Sequence, residues 1–245
     1  MTTGTVIVTG GGRGIGAATC LKLASIGYAV AVNYAANEAA AQATVEAIRE
    51  QGGRAGAFGG DVGDPEAIGP LFDAAVRALG PLAGLVNNAG ILGEPARTEA
   101  LEPAALRRLF DVNVLGSMLC AREAVRRLST RHGGLGGAIV NISSVAARLG
   151  GLPALVPYAV TKGAIETFTK GLANEVAREG IRVNCVAPGM TATDMSSDEM
   201  RKNALLSLPM GRVGEAEEIA EAVVWLMSPA ASYATGTVLT VSGGR

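Results

Sequence analysis

Near the start of the chain an apolar run, Val6-Ile7-Val8, passes into Thr9-Gly10-Gly11-Gly12-Arg13-Gly14-Ile15-Gly16, and a helical pattern begins at about Gly14. Glycines close such a strand-to-helix turn because they accept backbone angles that other residues resist. Without side chains they also let a phosphate reach the main-chain N–H groups at the helix start. The stretch therefore reads as a cradle for a phosphorylated ligand. Its spacing, Gly10-x-x-x-Gly14-x-Gly16, is not G-x-G-x-x-G, and no Gly-Lys-Ser/Thr follows it, so the commonest dinucleotide fingerprint and the triphosphate loop both fail to match. On spacing alone a plain strand–helix connection stays open.

Runs rich in Val, Ile and Ala recur at 5–9, 29–34, 54–58, 84–87, 138–143, 182–187 and 238–241. Stretches with helical spacing lie between them, at about 14–26, 38–51, 65–79, 103–129, 158–179 and 215–228. This alternation implies right-handed crossovers. The expected fold is α/β: a Rossmann-type, doubly wound, seven-stranded parallel sheet with three helices on each face, built by residues 1–245 as one domain. Asp64-Pro65 and Glu102-Pro103 place proline in a first turn, and Gly27, Gly52, Gly80 and Gly180 stand where helical patterns stop. With 49% hydrophobic but only 4% aromatic residues, the interior must be packed from Ala, Val, Leu and Ile. Residues 189–213, rich in Met, Ser and Thr, are long for a connection and suggest a lid over a substrate.

A net charge of -1 offers no basic field for nucleic acid and no attraction to an anionic membrane. No secretory leader and no apolar run of about 18 residues is present, so a cytoplasmic protein is expected. The three cysteines, Cys20, Cys120 and Cys185, sit in apolar segments and read as reduced core thiols, with no metal site. Arg126, Arg127, Arg131 and His132, followed by glycines, read as a solvated helix end and a flexible loop.

In doubly wound sheets a ligand lies beyond the carboxyl ends of the strands, where the strand order reverses. The residues just past each run are Thr9–Gly16, Asn33–Asn37, Asp61-Val62, Asn87–Gly90, Ser143-Ser144 and Pro188-Gly189. Tyr158 and Lys162 stand four apart in a helical segment and can share a face. A tyrosine hydroxyl with a pKa near 10 exchanges protons poorly at neutral pH, and a nearby cation favours its phenolate.

Taken together, Thr-Gly-x-x-x-Gly-Ile-Gly at 9–16, Asn-Asn-Ala-Gly at 87–90, Asn113, Ser144, Tyr158-x-x-x-Lys162 and Pro188-Gly189 resemble the single-domain short-chain dehydrogenase/reductase family, including its 3-oxoacyl-acyl-carrier-protein reductases. The resemblance runs from residue 4 to 244. It implies an NAD(P)-dependent alcohol–ketone oxidoreductase, usually a homotetramer. Tyr158 would be the acid/base, Lys162 would lower its pKa and hold the nicotinamide ribose, Ser144 would hydrogen-bond the substrate oxygen, and Asn113 would position a water in a proton relay. Ser143 would be a backbone-side support. Around the cofactor the resemblance places Gly10, Gly12, Arg13, Gly14, Ile15, Gly16, Asn33, Tyr34, Asn37, Asp61, Val62, Asn88, Ala89, Gly90, Pro188, Gly189, Thr191 and Thr193. Ser144 and Tyr158 are one residue further apart than in many relatives, which should reshape the pocket between them. Helices at 103–129 and 158–179 and the segment 236–245 could form subunit contacts.

An enzyme selecting NAD normally carries Asp or Glu at the end of its second strand. Here that end reads Val32-Asn33-Tyr34-Ala35-Ala36-Asn37, without an acid. Arg13 can face a 2′-phosphate as a charge-assisted donor, with Asn33 and Asn37 as neutral donors. NADP(H) is expected over NAD(H), which stays possible. The expected activity is NADPH-dependent reduction of a ketone or aldehyde, in an apolar pocket rimmed by Leu149, Leu152, Leu155, Met190, Met195 and Leu205. The alternatives are an alcohol, sugar or polyol dehydrogenase and, remotely, a non-catalytic cofactor-binding regulator. Recognition of an acyl carrier protein is possible but lacks support in the sequence.

Overall fold

The computed structural model describes residues 4–245. Seven strands, β1 (Thr5–Val8), β2 (Ala29–Tyr34), β3 (Arg54–Gly59), β4 (Leu82–Asn87), β5 (Gly137–Ile142), β6 (Ile181–Pro188) and β7 (Val238–Val241), form one parallel sheet. Their order is β3-β2-β1-β4-β5-β6-β7, so the direction of winding reverses between β1 and β4. That crevice is where the glycine stretch leaves β1.

Alternation along the strands decides which helices lie where. Val6, Val8, Val30 and Val32 face one side, against Cys20 and Leu23 of α1 (Gly14–Ser25), Val45 and Ile48 of α2 (Glu38–Glu50), and Ile219 and Val223 of a late helix, Ala216–Met227. Ile7, Ala31 and Leu85 face the other side. There they meet Ile68 and Phe72 of α3 (Pro65–Leu79), Cys120 and Ala124 of a helix at Ser117–Leu128, and Ala173 and Val176 of another at Val156–Val176. Three helices thus cover each face, as expected. Burying each of the Val, Leu, Ile and Phe side chains among them contributes about 1.5–3 kcal/mol. Cys20, Cys120 and Cys185 are free thiols inside these layers. Among the described residues no helix is long and apolar enough to cross a membrane.

Two local features depart from the periodicity. The expected helix 103–129 is α4 (Pro103–Phe110), a π-helical turn at Asp111–Gly116, and then α5 (Ser117–Leu128). At Gly116 a Cβ would lie 2.5 Å from the carbonyl oxygen of Val62, so the widened turn presses directly on the chain leaving β3. The expected solvated end of α5 is instead an ion-pair cluster. The buried carboxylate of Glu123 accepts from Arg126 at 2.8 Å and from Arg127 at 2.7 Å, and Arg127 also reaches Asp73.

After β5 come a short α6 (Ala146–Leu149) and the long α7 (Val156–Val176). Ala154, between them, has φ 65°, a left-handed conformation unusual for a residue with a Cβ, and its carbonyl accepts from Ala96 N at 3.0 Å. Residues 189–213 contain α8 (Asp198–Leu205), and α9 (Ala216–Met227) follows.

Candidate active site

The glycine stretch forms a cradle at the switch point. Gly10 has φ 62°, and a Cβ on Gly16 would lie 2.2 Å from the carbonyl oxygen of Gly10, so neither position tolerates a side chain in this backbone. Asn88 pins the turn to the end of β4: its Nδ2 donates to the carbonyls of Thr9 at 2.9 Å and Gly10 at 3.0 Å. Thr9 Oγ1 in turn accepts from the backbone N–H groups of Asn88 and Ala89, each at 3.0 Å. Helix α1 starts here with no acid in its first turn and no side-chain cap, which leaves its positive end and free N–H groups uncompensated. Space without Cβ atoms and an uncompensated helix start fit the pyrophosphate of a dinucleotide.

The cradle opens into a cleft of about 670 Å³, a size suited to a small-molecule site. It is lined by Gly10, Gly12, Arg13, Gly14, Ile15, Asn33, Tyr34, Asn37, Asp61, Val62, Asn88, Ala89, Gly90, Ser144, Tyr158, Lys162, Pro188, Gly189, Thr191 and Thr193. Gly16 and Asn113 are the two expected site residues outside that lining; Gly16 is spent on close packing within the turn. The apolar part of the wall holds Leu149, Leu152, Leu155, Met190 and Met195 as expected. Leu205 is not in it. It points outward from α8, 44% exposed, and Met200 and Leu208 stand in the wall instead.

Tyr158 and Lys162 share one face of α7, with the Lys162 Nζ 5.6 Å from the centre of the tyrosine ring. The Tyr158 hydroxyl is hydrogen-bonded to Ser144, and burial pushes its pKa up to about 12, with the bond to Ser144 pulling the other way. The net direction is upward, where a lowered value was expected beside the lysine. The lysine is itself buried, and loss of hydration pulls it down to about 8 while its Nζ donates to the carbonyl of Ile142 at 2.9 Å. Desolvation dominates the shift, so the phenol holds its proton at neutral pH. Ser143 donates to the carbonyl of Lys162 at 3.0 Å, tying the end of β5 to α7.

Two expected site residues are engaged with protein partners. Asn33 is buried and its amide is spent on backbone: Nδ2 donates to the carbonyls of Phe58 at 3.2 Å and Gly60 at 2.9 Å, and Oδ1 accepts from Gly10 N at 3.3 Å. It braces the cradle and has no donor left for a phosphate. Asn113, inside the π-helical turn, exchanges two bonds with the backbone of Ile91 (2.8 and 2.9 Å) and donates to Thr161 at 3.1 Å. Both amide protons are thereby spent on protein partners, while Oδ1 accepts from Ile91 N. Asn37, in the cleft lining, caps α2 by accepting from Ala40 N at 3.0 Å, which leaves its own amide protons unspent on the cap.

Several residues that shape the site carried no signal in the sequence reading. Arg108 crosses from α4 to Asp61, 2.7 Å apart, beside the cleft. Asp194 faces Arg13 across the mouth, at 3.7 Å. Both pairs join segments distant in the chain, and neither residue belongs to a local motif.

Known proteins resemble the chain in both sequence and fold. The family model described as enoyl-(acyl carrier protein) reductase matches residues 10–245. The uncharacterized oxidoreductase YgfF of Escherichia coli is 48% identical, with 98% of each chain covered. The 3-oxoacyl-[acyl-carrier-protein] reductase FabG of Staphylococcus aureus is 37% identical, with 99% of this chain and 98% of the relative covered. Among solved structures, a short-chain dehydrogenase of Burkholderia cenocepacia in complex with NADP superposes with a TM-score of 0.92 at 34% identity, covering 99% of this chain and 97% of that one. The chain belongs to the short-chain dehydrogenase/reductase family and is an NAD(P)-dependent oxidoreductase.

Proposed function

We propose that the chain is an NADPH-dependent carbonyl reductase that takes an apolar ketone or aldehyde, of the kind reduced by 3-oxoacyl-thioester reductases. The observation that carries this reading is Tyr158, a half-buried phenol that keeps its proton, hydrogen-bonded to Ser144 and flanked by Lys162, at the meeting of the glycine cradle and an apolar wall.

When bound, the nicotinamide cofactor supplies the hydride. The chain's own residues supply the rest. Ser144 and Tyr158 present two hydroxyl groups to a carbonyl oxygen, where they stabilise the negative charge that grows in reduction. Tyr158 then gives its proton to that oxygen. The ammonium of Lys162, with donor capacity beyond its bond to Ile142, stabilises the tyrosinate left behind and is placed to hold the cofactor ribose.

Support for the phosphorylated cofactor comes from the mouth of the cleft. The exit of β2 presents Tyr34, Ala35, Ala36 and Asn37, without the carboxylate that would repel a 2′-phosphate, and Arg13 stands opposite with its guanidinium 72% exposed. We further read the chain as one domain with residues 189–213 as its lid, since one sheet joins all the strands and that segment reaches the cradle through Asp194. A cytoplasmic homotetramer completes the proposal. Leu115 and Met118 beside α5 and Val156 and Val160 on α7 are exposed apolar residues suited to a subunit contact.

A panel of ketones, acetoacetyl thioesters, sugars and secondary alcohols, run with NADPH and NADH and their oxidised forms, tests the reading. Higher kcat/KM for an apolar carbonyl with NADPH is expected; a preference for sugar oxidation or for NADH would overturn it.

A further inference from the structure

We infer that Thr161 is a positioning residue that fixes Tyr158 relative to the cofactor cradle, through a hydrogen-bonded circuit linking three segments of the chain. The inference rests on the proposed role of Tyr158. Thr161 is completely buried in the first turns of α7. Its hydroxyl has one proton, which it donates to the carbonyl of Tyr158 at 2.7 Å. A lone pair of the same oxygen accepts from Asn113 Nδ2 at 3.1 Å. The remaining hydrogen-bonding groups of Asn113 are matched to the N–H and C=O of Ile91, at 2.8 and 2.9 Å.

A threonine that bonds only to its own helix would be a local feature. This one also receives a bond from another element, so the turn carrying Tyr158 is registered against the π-helical turn and, through Ile91, against the strand exit carrying Asn88, Ala89 and Gly90. The widened turn explains how Asn113 reaches inward: the extra residue rotates its side chain off the regular helical path. The fit is tight on the cradle side as well. A Cβ on Gly90 would lie 3.3 Å from Asn113 Oδ1 and 3.4 Å from Lys162 Nζ. Losing this buried hydroxyl leaves an Asn113 proton without its acceptor and lets the first turn of α7 shift against the cradle. A displacement of about 1 Å of a reacting group costs about 100-fold in rate.

Three variants test the inference: Thr161→Val, nearly isosteric but without the hydroxyl; Thr161→Ser, which keeps it; and Tyr158→Phe as reference. With NADPH and the best ketone of the panel, Thr161→Val should lower kcat about 10- to 100-fold while the NADPH dissociation constant, read by nicotinamide fluorescence, stays within about twofold. Thr161→Ser should restore kcat to within about threefold. Equal kcat for Thr161→Val and the unmodified protein would overturn the inference, as would parallel losses of kcat and NADPH affinity. If Thr161→Val does not fold, Thr161→Cys, of similar size but a weak donor, replaces it: a several-fold fall in kcat at unchanged NADPH affinity supports the role, and an unchanged kcat overturns it. Failure of the underlying reading looks different, because Tyr158→Phe would then retain turnover.

Discussion

Arg13 and Asp194 stand 3.7 Å apart across the mouth of the cleft, joining the glycine turn to the segment after β6. The carboxylate occupies the cation that the proposal assigns to a 2′-phosphate, so the two anions compete for one guanidinium. Both side chains are more than 70% exposed, and an exposed pair is worth at most about 1 kcal/mol. Asp194→Asn should therefore tighten NADPH binding about two- to fivefold and leave NADH unchanged, with the gain shrinking in about 0.5 M salt. Fluorescence titration of the two cofactors checks this; an equal effect on both would show that Asp194 does not compete with the phosphate.

Arg13→Gln should weaken NADPH binding about 10- to 100-fold, the range of a charge-assisted hydrogen bond, with NADH within about threefold. Equal losses for the two cofactors would mean that Arg13 serves the turn and not the phosphate.

Tyr158 and the buried Lys162 have opposed pH signatures. The Lys162 pKa is pulled from 10.5 to about 8, so between those values the unfolded chain carries a proton that the folded chain has released, and stability rises with pH. The Tyr158 pKa is raised from 10.0 to about 12, so between those values the folded chain keeps a proton that the unfolded chain has lost, and stability falls. Lys162→Met should then stabilise the protein by about 2 kcal/mol at pH 7, net of the lost bond to Ile142, while abolishing turnover. By pH 10 the gain should have vanished. Denaturant titrations at the two pH values provide the measurement, and a destabilised variant at pH 7 would contradict the buried-charge account.

Backbone geometry gives a paired expectation. Ala154 has φ 65°, so Ala154→Gly should raise stability by about 0.5–1 kcal/mol, since glycine adopts that region without the clash of a Cβ. Gly16→Ala should do the reverse and abolish cofactor binding, because the new methyl would lie 2.2 Å from the carbonyl of Gly10. Thermal unfolding and NADPH titration read both.

The fold was legible because its signals are periodic. Runs such as Ala29–Tyr34 and Val238–Val241 coincide with β2 and β7, and prolines 65 and 103 stand in the first turns of α3 and α4. The cleft lining was legible where residues lie just past strand ends, as Asn88–Gly90 and Pro188-Gly189 do. Side-chain partners were not. Asn33 lies at the expected place, but only the contact of β2 with β3 shows that its amide faces Phe58 and Gly60. The π-helical turn around Asn113 adds one residue to a helix, too small an offset for periodicity to reveal. The direction of the Tyr158 shift depends on how far the fold desolvates its hydroxyl, which spacing along a helix does not encode.

The central claim is that Tyr158 donates the proton in an NADPH-dependent carbonyl reduction. Tyr158→Phe removes one oxygen from the site and leaves the cradle untouched. Single-turnover oxidation of NADPH by this variant, with the best ketone of the panel, measures the claim most directly. The account predicts a rate lowered at least about 1,000-fold with the NADPH dissociation constant within about twofold of the unmodified protein; a rate within about tenfold of it would contradict the account.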